Sequence, residues 1–239
     1  MIESISHYNK LDDYQLCEDR IDVWQFSLLK PPSQSHFILN AEEKARAQRF
    51  HFERHQRRFT AARARMRLIL ARYLKNEAAE LEFTFNAQGK PSLQHPLLPE
   101  FNLSHSGEMA LLAIGKGTSM GIDLEFFSAR PYLGIAKTLF SSDEINALEQ
   151  TPQFLQTLTF FHLWAQKEAF IKASGLGLSY PTTEFSVPSR LAAHQKIHDS
   201  LHNKEWQLLG FMPEPGCCAA LCCDLTIKEL RQIRVTGGS

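Results

Sequence analysis

The chain has 239 residues, and its 26 Lys+Arg balance 26 Asp+Glu, so the formal net charge is zero. That balance argues against a uniformly cationic nucleic-acid binder and against an acidic disordered tail. The hydrophobic share of 44% is ordinary for a globule with a core, and the longest apolar run, 217–223, falls far short of the roughly 20 residues that cross a bilayer.

Residues 23–28 alternate and predict a strand. Asn40 can cap a helix starting near Ala41. Phe59, Met66, Ile69, Leu70, Tyr73 and Leu74 recur at three- and four-residue spacing, which predicts a long helix within 44–75. Residues 81–85 alternate as a strand, and Gly89-Lys90-Pro91 makes a turn. Residues 101–106 and 109–114 read as strand, Ser/Gly turn, strand, with a further short strand at 120–124. Ser141 and Ser142 can cap a helix carrying Asp143 and Glu144 in its first turn. Residues 155–173 form a long aromatic helix that stops at Gly175. Strands are expected at 184–187, 205–211 and 217–223. The order strand, helix, strands therefore occurs twice. This predicts an α+β fold of two related halves, 1–117 and 118–239, each an antiparallel sheet with one packed major helix.

The zero net charge hides a gradient. Between positions 44 and 75 lie eleven basic residues and one acidic residue, Glu53, so that segment is +10 and the remainder −10. Such asymmetry points to local handling of a polyanion, the plainer alternative being a solvated basic helix face. Arg58, Arg65 and Arg72 stand seven apart and share a stripe. No Gly-containing turn separates two short helices here, so a helix-turn-helix is not indicated. The N-terminus lacks the basic-then-apolar pattern of a secretory signal. Five cysteines are too few for a disulfide scaffold, and a reduced, cytoplasmic protein with no membrane partner is expected.

Two motifs carry chemistry. In Gly121-Ile122-Asp123-Leu124-Glu125 the two carboxylates point the same way on a strand, with Met120, Ile122 and Leu124 expected toward the core. Two close carboxylates repel unless a cation intervenes, and an oxygen-only set suits Mg²⁺. The alternative is an exposed acidic strand edge. In Trp164-Ala165-Gln166-Lys167-Glu168-Ala169-Phe170-Ile171-Lys172, Glu168 shares a helix face with Leu158, Phe161 and Trp164. A carboxylate in an apolar stripe needs a partner or a metal, and Lys172 one turn on could be that partner. Asn102-Leu103-Ser104-His105-Ser106 and Gly89-Lys90-Pro91 can present backbone N–H groups and a His to phosphate, but neither is specific alone. His51 and His55 lack a third metal ligand.

In this order and spacing the motifs resemble the 4′-phosphopantetheinyl transferases of the Sfp type, over roughly residues 20–225. The resemblance extends to Glu42-Glu43-Lys44-Ala45-Arg46…Phe50 and to Pro215-Gly216 before an apolar strand. It implies a pseudo-twofold α+β chain with the active site in the cleft between the halves. It also implies coenzyme A as donor, Mg²⁺ as cofactor, and an apo acyl or peptidyl carrier protein as acceptor. The product pair would be a phosphopantetheinylated serine and adenosine 3′,5′-bisphosphate, and a monomer is expected. By resemblance, Asp123, Glu125 and Glu168 are the metal carboxylates, and Glu168 is also the base for the carrier serine, directly or through water. Lys172 stabilises the pyrophosphate and the leaving group, Arg46 and His105 hold nucleotide phosphates, and Lys90, Pro91 and Ser104 form the adenosine pocket. Arg58 is a further phosphate match. Glu43 stands where some relatives carry a second phosphate-binding lysine. Two competing readings are a nucleic-acid or polyanion-binding module using the basic 44–75 segment, and a different Mg²⁺-dependent phosphotransferase acting on nucleotides.

Overall fold

The structure, a computed structural model, describes residues 1–129, 131–190 and 194–235. The elements are β1 (Ser4–Tyr8), β2 (Arg20–Ser27), α1 (Ser35–Ile38), α2 (Ala41–Gln48), α3 (Glu53–Leu74), β3 (Phe83–Phe85), β4 (Pro91–Leu93), β5 (Pro99–Ser106), β6 (Met109–Lys116), β7 (Met120–Phe126), α4 (Tyr132–Leu139), α5 (Ser142–Gln150), α6 (Gln153–Ser174), β8 (His194–Asp199), β9 (Lys204–Phe211), β10 (Cys217–Asp224) and β11 (Glu229–Arg234). The fold class is α+β, as the sequence predicts.

The chain forms two compact units. One comprises Ser4–Gly117 with the chain from Glu229 onward, the other Thr118–Lys228 with Met1–Glu3. In the first unit the sheet runs β1-β11-β2-β6-β5. Its β1·β11 and β11·β2 pairs are parallel, so this sheet is mixed rather than purely antiparallel. The reason lies at the C-terminal strand. Arg231 donates to both oxygens of buried Asp22 at 2.6 and 2.5 Å, fixing β11 beside β2. In the second unit the sheet runs β7-β10-β9-β8, antiparallel throughout.

Both units follow one chain path. A strand leads to a short capped helix, then to a 22-residue helix, then to a hairpin whose second strand returns beside the first (β6 beside β2, β10 beside β7). The caps agree in detail. Asn40 and Glu43 exchange side-chain bonds with each other's backbone at the start of α2, and Ser141 and Glu144 do the same at α5. Each capping glutamate then pairs with a buried cation in the long helix that follows. Arg67 Nε lies 2.8 Å from Glu43 Oε2, and Lys167 Nζ lies 3.0 Å from Glu144 Oε2. Each cation also donates to two backbone carbonyls. Arg67 takes those of Ala78 and Leu81, and Lys167 those of Thr182 and Phe185. Each also covers an aromatic ring, Phe83 at 4.9 Å or Phe185 at 3.9 Å.

These cations explain where the strand expectations fail. Residues 184–187 form no strand, because Lys167 claims the Phe185 carbonyl and Glu144 Oε1 accepts from Val187 N–H at 2.8 Å. The ladder's outer strand is instead β8. Likewise the strand expected from 81 begins at Phe83, after Arg67 has taken the Leu81 carbonyl.

The two helices seat on their sheets differently. Helix α3 packs Ala61, Met66, Leu70 and Tyr73 against Trp24, Phe26 and Leu112. Helix α6 lies closer, over the small residues Cys218, Ala220 and Cys222 of β10. Gly121 permits that approach, since a Cβ there would stand 2.1 Å from the Ala169 carbonyl oxygen. All five cysteines are free, and the four in β10 serve as small buried apolar residues.

Candidate active site

In the second unit the motif residues converge. Asp123 and Glu125 alternate with Gly121 on β7, and Gly121 faces α6, so both carboxylates lie on the helix side of the strand. They are not an exposed acidic edge. Met120, Ile122 and Leu124 are buried on the opposite side, and Asp123 itself is only 4% exposed. Across from the carboxylates stand Ala220 and Cys218, which leave them room.

Helix α6 supplies the partners. Lys172 Nζ lies 2.5 Å from Asp123 Oδ1 and 3.2 Å from the Ile122 carbonyl, so it reaches over to the strand instead of serving only an intrahelical pair with Glu168. Trp164 donates its indole N–H to Glu125 Oε1 at 3.1 Å. Glu168, one turn after Trp164, is half-buried. Burial, followed by the nearby Asp123 charge, raises its carboxyl pKa above the ordinary value. Lys172 opposes the shift and Glu125 adds to it. Three carboxylates therefore share one electrostatic environment in which adding a negative charge is unfavourable. Among the described residues no group of three or more His, Cys, Asp or Glu side chains is arranged to hold a metal ion. As placed, Lys172 occupies Asp123 and Trp164 occupies Glu125.

The first unit holds the other sequence candidates. Arg46, exposed on α2, lies over the Phe59 ring at 5.4 Å. It lines a cleft of about 350 Å³ with Phe59, Arg63, Phe85, Gln88 and Gly89. Gly89 takes φ +79°, and Asn86 Oδ1 accepts from the backbone N–H of Gln88 and Lys90, which fixes the turn. Lys90 and Pro91 follow directly, Pro91 pairing with Phe85 across the β3–β4 hairpin. The structure thus brings Arg46 and Gly89 to one cleft, with Lys90 and Pro91 next in the chain but outside its lining. Ser104, buried, and His105, exposed, sit on β5 outside that cleft's lining. Arg58 is engaged by Glu108 at 2.8 and 3.1 Å, and Arg57 binds the same carboxylate oxygen at 2.7 Å.

Glu43 is a structural residue. It caps α2 and neutralises Arg67, which is fully buried, with Arg63 3.9 Å away. The basic segment is consequently not one solvated surface, since Arg63 and Arg67 are interior and Arg57 and Arg58 are tied to Glu108. Sequence reasoning gave no role to Trp164 or Glu108. The four-residue spacing of Trp164 and Glu168 was the available signal for the former. No local pattern marks Glu108, whose partners lie about fifty residues away.

Comparison with known proteins is consistent along the chain. The family model described as the 4′-phosphopantetheinyl transferase superfamily matches residues 119–221, and one described as 4′-phosphopantetheinyl transferase, N-terminal, matches residues 30–116. The 4′-phosphopantetheinyl transferase HetI of Nostoc sp. is 34% identical over 213 residues, covering 86% of this chain and 88% of that protein. The 4′-phosphopantetheinyl transferase Sfp of Bacillus subtilis is 30% identical over 188 residues, covering 77% and 82%. A mouse L-aminoadipate-semialdehyde dehydrogenase-phosphopantetheinyl transferase is 30% identical over 201 residues, covering 73% and 65%. No helix among the described residues is long and apolar enough to cross a membrane. With the motif residues placed as above and similarity extending over both units, the chain belongs to the 4′-phosphopantetheinyl transferase family.

Proposed function

We propose that the chain transfers 4′-phosphopantetheine from coenzyme A to a serine hydroxyl of an apo acyl or peptidyl carrier protein, releasing adenosine 3′,5′-bisphosphate. The observation that carries this reading is the approach of Asp123 and Glu125 on β7 to Glu168 and Lys172 on α6. Like charges so placed favour a divalent cation, and Mg²⁺ needs only one or two protein carboxylates when substrate phosphate and water complete its shell. Asp123, Glu125 and Glu168 are the residues that would hold it. When bound, Mg²⁺ would neutralise charge on the pyrophosphate during transfer.

The chain's own groups have separate tasks. Glu168, ionised, accepts the proton of the carrier serine, directly or through water, because an alcohol is a weak nucleophile without a base. Its raised pKa makes it a better proton acceptor than an ordinary glutamate. Lys172, now neutralising Asp123, supplies the ammonium that stabilises the departing phosphate. Arg46 and His105 bind phosphates of the donor, and Lys90, Pro91 and Ser104 receive its adenosine. Arg58, already shared with Glu108, contributes less to phosphate binding. The molecule acts as a monomer in a reducing cytoplasm, which suits five free thiols.

Intact-mass analysis of an apo carrier protein incubated with coenzyme A tests the reading. The carrier should gain one phosphopantetheine with Mg²⁺ and none with EDTA. Absence of any mass gain across apo acyl and peptidyl carriers would overturn it, and transfer to a nucleotide instead would establish the phosphotransferase alternative.

A further inference from the structure

The repeated chain path assigns the carboxylate site a counterpart in the first unit. On β2, Trp24 and Phe26 face α3 opposite Leu112 and Ala110, as Asp123 and Glu125 face α6 opposite Ala220 and Cys218. On α3, Leu68 and Arg72 follow buried Arg67 by one and five residues, as Glu168 and Lys172 follow buried Lys167. At this counterpart lies a cleft of about 470 Å³, within the usual size of small-molecule sites. Its chemistry is inverted. The carboxylates are replaced by an apolar floor of Trp24, Phe26, Leu68 and Ile69, with Lys10, Arg65 and Arg72 around it and no acidic residue among the described residues of the lining.

The walls are braced. Trp24 donates to Tyr73 Oη at 2.9 Å, and Tyr73 donates to Asp22 Oδ2 at 2.5 Å. Tyr14 stacks on Trp24 at 5.7 Å, and Arg72 donates to Tyr14 Oη at 2.6 Å, leaving further guanidinium donors. Arg65 Nε is buried without a hydrogen-bond partner, and burial lowers the Arg65 pKa. That atom is enclosed by protein and Arg65 Nη2 donates to the Lys30 carbonyl at 3.4 Å, so the remaining Nη donors of the guanidinium are the ones an anion in the cleft would meet.

We propose that this cleft binds a hydrophobic carboxylate, its head on Arg65 and Arg72 and its apolar tail over Trp24 and Phe26. The site is separate from the transfer chemistry and calls on none of its residues. Isothermal titration of decanoate into the full chain tests it, with decanol as the uncharged control. The expected result is one saturable site per chain, with decanol at least about tenfold weaker, the loss of a charge-assisted hydrogen bond. Arg72→Glu and Leu68→Glu should each weaken decanoate at least about tenfold in protein that still melts cooperatively. Glu168→Ala should leave decanoate binding intact, and saturating coenzyme A should not displace it. Absence of saturable binding, equal affinity for decanol, unchanged affinity in folded Arg72→Glu and Leu68→Glu, loss of binding in Glu168→Ala, or displacement by coenzyme A would each overturn the proposal.

Discussion

Helices α3 and α6 have the same length and the same place in their units, yet they use charge in opposite ways. Helix α3 carries many arginines and spends two of them, Arg63 and Arg67, inside the fold. Helix α6 is apolar on nearly every side and carries the two groups proposed for catalysis, Glu168 and Lys172. Their common element is a buried cation held by the capping glutamate of the preceding helix, which also captures the carbonyls of the loop that follows. Net charge along a sequence therefore says little about where charge is available. Burial decides which cations brace loops and which meet ligands.

The comparison can be broken most severely at Gly121. A Cβ there meets the Ala169 carbonyl, Ala173 N and Lys172 Cβ, all within 2.8 Å, and the first two are backbone. Gly121→Ala should displace α6 or prevent folding of the second unit, so that amide exchange accelerates in α6 while α3 stays protected. Equal protection in both helices of Gly121→Ala would show that the close seat is dispensable.

Next come the paired cations. Removing one partner of a buried ion pair strands the other, at about 3–5 kcal/mol. Arg67→Met and Lys167→Met should each lose about that much in urea unfolding. Each should also free its own loop, 78–81 or 182–187, to proteolysis. A loss under about 1 kcal/mol in either variant would show that the two devices are not equivalent.

Smaller effects sharpen the account of the carboxylates. A carboxyl whose folded pKa lies above its unfolded value destabilises the fold once ionised. The penalty grows as pH rises past the ordinary value of 4.5 and is complete above the raised one. Glu168→Gln should therefore melt higher than the parent at neutral pH without Mg²⁺, and the gain should vanish in acid. A gain that persisted below the ordinary glutamate range would locate its cause elsewhere. Trp164→Phe removes the indole donor to Glu125 while keeping an aromatic ring. It should cost roughly 1 kcal/mol of stability and raise the Mg²⁺ concentration needed for half-maximal turnover, the parameter a merely packing tryptophan would not move.

Much of this was readable in the sequence because it is local. The capping signals at Asn40 and Ser141, the stop at Gly175, the hairpin of residues 101–114 and the alternation of Asp123 with Glu125 all follow from neighbours within a few positions. What escaped is long-range. Strand β11 depends on Arg231 meeting Asp22, 209 residues away. The missing strand at 184–187 depends on Lys167 and Glu144 taking its backbone groups. The face of Asp123 and Glu125 was legible, but which layer that face meets depended on Gly121 and the small residues of β10. Glu43, an oddity beside the resemblance, becomes intelligible only when Arg67 is seen to be buried against it.

In the proposed reaction Glu168 of α6, close to Asp123 and Glu125 of β7, activates the acceptor hydroxyl. The most direct measurement is the single-turnover rate of phosphopantetheine transfer from coenzyme A to an apo carrier, followed by intact mass, for the parent and Glu168→Gln at saturating Mg²⁺ with folding matched by melting. The expected fall is about 10²–10⁴-fold, the usual worth of a positioned general base. An undiminished rate in folded Glu168→Gln would contradict it.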